Sequence, residues 1–343
     1  MGSKLSKLLI VTPALADANN GNWQTARRWA LMLKQQHRVQ VLDRWSAGDT
    51  AGGDADADDD ADLMVALHAR RSASSVQAWR QHMGSRPLLL VLTGTDLYRD
   101  IQTDPQAQAS MQAADRLLVL NELGLRSVPE ALRSKAQVCL QSCPAYQTQT
   151  KTQRHLRALM VGHLREEKSP QTYFDAAQWL QHRHDIRLDH IGAGLDAELA
   201  QRAHKLSQRR PGSTPSHDRC NYRWLGALPH RVTRARIAAA HLLVHCSRME
   251  GGAHVVMEAI TSGTPVLASR IDGNVGLLGA DYGGYFEWGD AQALATLLQR
   301  ARDEPAMLNA LSRQCRARAP LFEPQREQTT LLSVVAALLL AST

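Results

Sequence analysis

Two carboxylates, Glu250 and Glu258, stand with seven residues between them in the stretch SRMEGGAHVVMEAITSGTPVLAS, Ser247 to Ser269. Glu250-Gly251-Gly252 predicts a flexible turn. Ala253 to Ser262 predicts a short helix stopped by Gly263, and Pro265 to Ala268 a buried strand. Two glycines let the backbone come close to a ligand. The first turn of the helix leaves N–H groups unpaired, and these suit a phosphate. One carboxylate can then sit beside a diphosphate while the other reaches further along the ligand. A carboxylate accepts two hydrogen bonds side by side, which suits the two hydroxyls of a ribose. An ordinary loop–helix–strand unit with two surface glutamates would give the same letters.

The two glutamates, followed by SGTPVLAS, resemble the E-x7-E segment of retaining-type glycosyltransferases with the GT-B fold. The resemblance implies an α/β chain with two Rossmann-like domains facing each other across a cleft. It implies Glu258 as the ribose ligand and Glu250 as the contact to the donor sugar hydroxyls. His254 and Val255 would supply amides to the diphosphate, beside Gly251 and Gly252. The family's usual Phe-Gly is absent, and Gly252 and Ala253 stand in its place. Leu156 to Val161 reads as a strand, and Gly162-His163-Leu164-Arg165-Glu166-Glu167-Lys168 after it resembles the family's V-G-R-L-x-x-x-K loop. Lys168 matches the family's lysine, and His163 occupies the arginine position. Residues two apart in an extended segment face the same way, so Arg165 can replace the missing charge. Two cations there would stabilise a leaving diphosphate. A plain exposed charged loop is the alternative. Trp224-Leu225-Gly226 resembles the F-x-G segment that lines the base pocket, which adds Gly226 and Gly162 to the donor site. Thr93-Gly94-Thr95-Asp96-Leu97 resembles H-G-x-D-L, with Thr93 where the family has histidine.

The elements that must position these residues read as alternating strands and helices. The runs 8–11, 63–67, 88–92 and 117–120 are short and continuously apolar, as buried parallel strands are, and 39–42 reads as a further strand. A helix from Trp23 to about Gln35, a helix near Asn121 to Ser134 and a strand at 138–140 complete the first half. Asp189 to Gly194 reads as a strand and glycine turn, Leu242 to Cys246 as a strand, and Asp272 to Gly276 as a glycine turn. Asp290 caps a helix, and Pro324 to Leu340 forms the last one. The polar stretch 147–154 serves as linker. Residues 1–150 are therefore expected as an acceptor domain and 151–323 as a nucleotide-sugar domain. Residues 324–343 are expected as a helix returning to the first domain.

Ligands of open parallel sheets bind beyond the carboxyl ends of strands. In the first domain this points to Asn20, Gly21 and Asn22 with Thr25, to His68, Arg70 and Arg71, and to Thr93, Thr95 and Asp96. Arg27 and Arg28 add positive charge nearby. The Asn- and Gly-rich turn and the lone histidine also have plain structural readings. The arginines could instead pair with the acidic stretch 49–62, which reads as a solvated loop.

With 343 residues the chain is long enough for two cores, and its formal charge is +7. Only 5% of residues are aromatic and no basic block recurs on one face, which argues against nucleic acid and for a small anionic substrate. Five cysteines without paired spacing argue against a disulfide framework and for the cytoplasm. The apolar start is too short for a secretory segment, and 331–341 is too short to span a membrane. No metal or other cofactor is expected.

NNGNWQTARRWA, LHARRSA, TGTDLYRD, VGHLREEKSP and SRMEGGAHVVMEA together resemble the selenosugar synthases of selenoneine biosynthesis. The resemblance implies that the sugar of UDP-GlcNAc or UDP-glucose is joined to selenophosphate. Selenophosphate is already anionic near neutral pH, so it needs a cationic pocket and no protein base. Thr93 in place of histidine agrees with that. A glycosyltransferase with a hydroxyl or thiol acceptor, a hydrolysing UDP-sugar epimerase of similar fold, and a non-catalytic nucleotide-sugar binder remain open alternatives.

Overall fold

The computed structural model describes residues 5–13, 15, 21–48, 61–208 and 221–341. Met1–Ser142 with Pro324–Thr343 form one compact unit, and Cys143–Glu323 form the other.

The first unit is a six-stranded parallel sheet of β1 (Lys7–Val11), β2 (Arg38–Leu42), β3 (Leu63–Leu67), β4 (Leu88–Leu92), β5 (Arg116–Val119) and β6 (Ala136–Val138). Their order is β2-β1-β3-β4-β5-β6. β3 and β4 are buried along their whole length, as apolar runs covered on both faces should be. The helix Gly21–Leu33 and the last helix, Pro324–Leu340, lie on one face. Leu331, Val334, Val335 and Leu338 of the last helix share a core with Leu8, Ile10, Trp29 and Val65. One buried carboxylate ties these elements together. Glu327 accepts from Arg28 Nε and Nη2 at 2.9 and 3.0 Å and from Trp29 Nε1 at 2.6 Å. It also accepts from the Ser142 amide at 2.8 Å and the Ser142 hydroxyl at 2.5 Å.

The second unit repeats the plan with β7 (Leu156–Val161), β8 (Ile186–Ile191), β9 (Tyr222–Trp224), β10 (Leu242–His245), β11 (Val266–Ser269) and β12 (Tyr285–Phe286). Their order is β12-β11-β10-β7-β8-β9. Strands β8 and β9 are added on one side of β7 and strands β10 to β12 on the other. The strand order therefore reverses between β7 and β10. In the first unit the reversal lies between β1 and β3. Crevices at such points are where open α/β sheets bind ligands.

Two expectations fail. Asn121 to Ser134 is not an α-helix but two 3₁₀ turns, Gly124–Ser127 and Glu130–Lys135. Pro129 lies between them; it has no N–H to donate and forces Val128 into an extended conformation. Asp272 to Gly276 is not a turn but part of the helix Asp272–Leu278. The helices Ala73–His82, Pro105–Ala113, Pro170–Trp179, Ala197–Ser207, His230–Ala239 and Pro305–Arg318 also stand where no helix was anticipated. Most of the acidic stretch, residues 49–60, lies outside the described residues. Among the described residues no helix is long and apolar enough to cross a membrane. Cys139, Cys143, Cys246 and Cys315 are buried free thiols.

Candidate active site

In the second unit the loop after β7 and the loop after β10 flank the point where the strand order reverses. Lys168 ends the first loop and Glu250 lies in the second. Lys168 Nζ donates to Glu250 Oε1 at 2.5 Å. His245, the last residue of β10, brings Nε2 to 3.4 Å from the same oxygen. Burial raises the Glu250 carboxyl, but Lys168 and then His245 outweigh it and hold it well below the usual carboxylate range. Gly251 and Gly252 form the bend that follows, and His254 and Val255 open the helix His254–Thr261.

The Glu250 loop sits in a tight place. A Cβ on Gly273 would come within 1.9 Å of the Glu250 carbonyl oxygen, so only glycine fits there. Ser269 Oγ donates to the Ser247 carbonyl at 2.6 Å, and Asn274 Nδ2 donates to the Ser269 carbonyl at 2.9 Å. Gly273 of the anticipated turn thus serves close packing against the site rather than a bend.

The Lys168 loop is clamped from β8. His190 is fully buried, with Nε2 3.0 Å from the Gly162 carbonyl oxygen and Nδ1 2.9 Å from the Tyr222 hydroxyl. The carbonyl can only accept, so the ring proton sits on Nε2. Burial lowers His190 to about 4, which keeps it neutral. A Cβ on Gly192 would lie 1.9 Å from the Gly162 oxygen. The Gly192 amide donates to the Gly226 carbonyl at 2.9 Å, which fixes that glycine beside the loop. His163 Nδ1 accepts from the Ala193 amide at 3.0 Å, and burial, then Arg165 and Lys168, lower its pKa. His163 is therefore a neutral brace. Arg165 is extended and exposed and makes no ion pair among the described residues, so it is the residue of that loop available to replace the family's arginine.

Glu258 is 2% exposed, one helical turn past His254. Its Oε1 lies 2.6 Å from His230 Nε2, 3.4 Å from His254 Nδ1 and 3.8 Å from Arg234 Nη1. Burial raises this carboxyl, but hydrogen bonds from His230 and His254 pull it down to about 2. The hydrogen bond to Glu258 raises His230 in turn. Arg234 also donates to the Pro144 carbonyl at 2.9 Å and to the Cys143 sulfur, and it stacks over Tyr146. Sequence reasoning missed His190, His230, Arg234 and His245, which belong to no short motif. The available signal for His245 was a histidine in an otherwise apolar strand, LLVH.

A family profile described as Glycosyl transferases group 1 matches residues 147–318, just over half of the chain. The chain belongs to this family. Among solved structures it is similar to sucrose-phosphate synthase of Thermosynechococcus elongatus, with a TM-score of 0.77 at 17% identity over 98% of this chain and 100% of that one. It is also similar to HepE of Anabaena, solved with UDP and glucose, with a TM-score of 0.72 at 14% identity over 97% and 100%. An α,α-trehalose-phosphate synthase (UDP-forming) of Burkholderia vietnamiensis gives 0.65 at 12% identity over 80% and 74%. These likenesses establish the GT-B fold, two parallel six-stranded sheets each flanked by helices. No curated protein matches the sequence.

The first unit of this group 1 glycosyltransferase places its expected residues unevenly. Asn20 lies outside the described residues. Gly21 and Asn22 open the helix Gly21–Leu33, and Thr25 in its first turn is buried, donating to the Gly21 carbonyl and accepting from Gln141. Thr25 is therefore a helix and core residue. His68 follows β3 in a left-handed backbone conformation, φ 74°, which is uncommon for a side-chain-bearing residue. Its Nε2 lies 3.1 Å from Thr95 Oγ1, and burial lowers its pKa. Thr93 and Asp96 are structural. Asp96 is fully buried, and its Oδ1 accepts from the Thr93 and Gly94 amides while Oδ2 accepts from the Ala69 amide, each at 2.9 Å. Asp96 thus fastens the loop after β3 to the loop after β4. Arg70 pairs with Asp100 at 2.9 Å, and Arg28 with Glu327, which removes both from the expected set of free cations. Arg71 is exposed and makes no ion pair among the described residues.

Proposed function

We propose that this glycosyltransferase takes a UDP-sugar, UDP-GlcNAc or UDP-glucose, and transfers the sugar to selenophosphate in selenoneine biosynthesis. The observation that carries the donor half is the Lys168–Glu250 pair, 2.5 Å apart where the strand order reverses. A cation there offsets charge on a leaving diphosphate as the glycosidic bond breaks. The carboxylate beside it accepts hydrogen bonds from sugar hydroxyls. Glu258, ionised and buried, offers ribose hydroxyls two acceptor oxygens. The UDP bound in HepE supports the choice of nucleotide.

The acceptor half rests on the sequence resemblance and on cationic residues of the first unit, with Arg71 in the leading place. Selenium attacks the anomeric carbon, and the bond from that carbon to the diphosphate oxygen breaks, its electron pair leaving with UDP. Water then cleaves the phosphorus–selenium bond to give phosphate and a selenol sugar. No step requires a protein base or a metal ion. Incubation with selenophosphate and each UDP-sugar, followed by mass spectrometry, should show a selenium-containing sugar together with UDP and phosphate. UDP release only with hydroxyl or thiol acceptors would make this an ordinary sugar transferase, and UDP binding without release would make it a binding protein. Arg71→Ala should raise the KM for selenophosphate about tenfold and leave UDP affinity unchanged. Arg71→Lys should recover only part, since lysine lacks the two-pronged phosphate contact.

A further inference from the structure

A histidine at the end of a buried parallel strand is out of place. The neighbouring positions of β10, Leu242, Leu243 and Val244, are apolar and fully buried, and so is Ala268 opposite His245 on β11. Burying an imidazole among such residues is costly unless its nitrogens find partners. His245 finds them at one nitrogen only. Nδ1 is buried with no hydrogen-bond partner. Nε2 lies 3.3 Å from Ser247 Oγ and 3.4 Å from Glu250 Oε1. A proton on Nδ1 would be a buried donor without an acceptor, so the proton sits on Nε2, the nitrogen that faces Ser247 Oγ and the carboxylate.

Glu250 Oε1 therefore has the Lys168 donor at 2.5 Å and His245 Nε2 at 3.4 Å beside it, and Oε2 has neither among the described residues. The two donors differ in freedom. Lys168 stands on a flexible four-carbon stem, whereas His245 is fixed by its strand. In the function proposed above, Lys168 serves the donor diphosphate. Turning to that diphosphate takes it from Glu250 and leaves a buried carboxylate without its cation. That would raise the carboxyl and loosen its orientation if nothing else held it.

We propose that His245 is a positioning residue. It holds Glu250 through Oε1 when Lys168 turns to the diphosphate, so that Oε2 stays presented to a hydroxyl of the donor sugar. The inference rests on the proposed donor class and adds that recognition of the sugar, as distinct from the nucleotide, passes through a buried histidine.

The test is calorimetric titration of the whole protein with UDP, UDP-glucose and UDP-GlcNAc, in the wild type, His245→Leu and His245→Gln, with a melting temperature for each. UDP lacks the transferred hexose, so its affinity should change less than twofold in either variant. The better-bound UDP-sugar should lose about tenfold in affinity in His245→Leu, the usual size of one hydrogen bond to a charged group. His245→Gln, whose amide nitrogen can stand near the place of Nε2, should recover most of that loss. A His245→Leu protein that binds the UDP-sugar like the wild type would overturn the inference. So would parallel loss of UDP and UDP-sugar, because that is the signature of a merely structural histidine. Equal loss of the UDP-sugar in Leu and Gln would overturn it too. A wild type that binds no UDP would instead remove the donor assignment on which the inference stands.

Discussion

At the scale of single residues, the structure changes what two substitutions should do. Glu258→Ala is expected to weaken UDP by about tenfold to a hundredfold, the loss of roughly 1.5–3 kcal/mol from a charged hydrogen bond. The affected term is binding rather than turnover, since ribose is held in ground and transition states alike. His230 adds a pH dependence. Its side chain is 70% exposed and lies 2.6 Å from Glu258, and that contact raises its pKa above the ordinary value of about 6.5. A raised histidine stabilises the free protein below its unfolded pKa and loses that contribution as pH rises through the folded one. Ribose must compete with it for Glu258. UDP affinity should therefore increase as pH rises from about 6.5 through the raised value, and His230→Ala should abolish the slope. A flat wild-type profile would contradict ribose binding at Glu258. Lys168→Ala should lower turnover by about a hundredfold or more, the usual size for a lost transition-state charge contact. It also leaves Glu250 with burial as the largest influence, so the carboxyl rises. The ionised form is present above that pKa and lost as pH falls through it, so the acid limb of the activity profile should move upward. A variant with the wild-type profile would show that Lys168 does not set the charge of Glu250.

At the scale of elements, the same residues depend on how closely loops and strands approach. The Lys168 loop is held by His190 and by the absence of a side chain at Gly192. Gly192→Ala would drive a Cβ to 1.9 Å from the Gly162 carbonyl oxygen, a rigid backbone atom. Stability should fall by about 1–3 kcal/mol, as for other overpacked sites, and UDP affinity should fall with it because Lys168 and Arg165 move with the loop. Denaturant titration and UDP titration of one preparation read both effects, and unchanged UDP affinity would detach the loop from the donor site. The strands were legible almost to the residue because a strand buried on both faces must be a short apolar run, and LMVAL and LLLVL permit little else. The helices were less legible. Pro170–Trp179 and His230–Ala239 carry polar residues on exposed faces, which blurs their apolar period. Asn121 to Ser134 has helical spacing, yet Pro129 breaks it. Lys168, Glu250 and Glu258 were legible because their spacing follows from one loop and one helix. His230 reaches Glu258 only through tertiary packing, 28 residues away, while His245 ends β10 shortly before Glu250 and depends on the turn of the loop between them. Local patterns do not report such pairings.

At the scale of the whole molecule, the chain completes its first unit with its last helix. Pro324–Leu340 has an apolar face, but the charged residue Glu327 fixes where it docks. That carboxylate is fully enclosed, and it satisfies the Arg28 guanidinium, the Trp29 indole and both polar groups of Ser142. Removing one partner of a buried pair leaves the other charge without compensation and costs about 3–5 kcal/mol. Glu327→Ala should destabilise the first unit by that amount. Glu327→Gln should cost less, because an amide oxygen can still accept from Trp29 or Ser142. The two compact units have separate cores, so the loss should be local. Hydrogen exchange should show weakened protection in β1, β3 and the helix Gly21–Leu33, with β7 and β10 retaining theirs. UDP affinity should hold, since every donor contact assigned here lies in the second unit. Equal loss of protection in both sheets would mean that the units fold as one, and no loss in either would mean that the last helix docks through its apolar face alone.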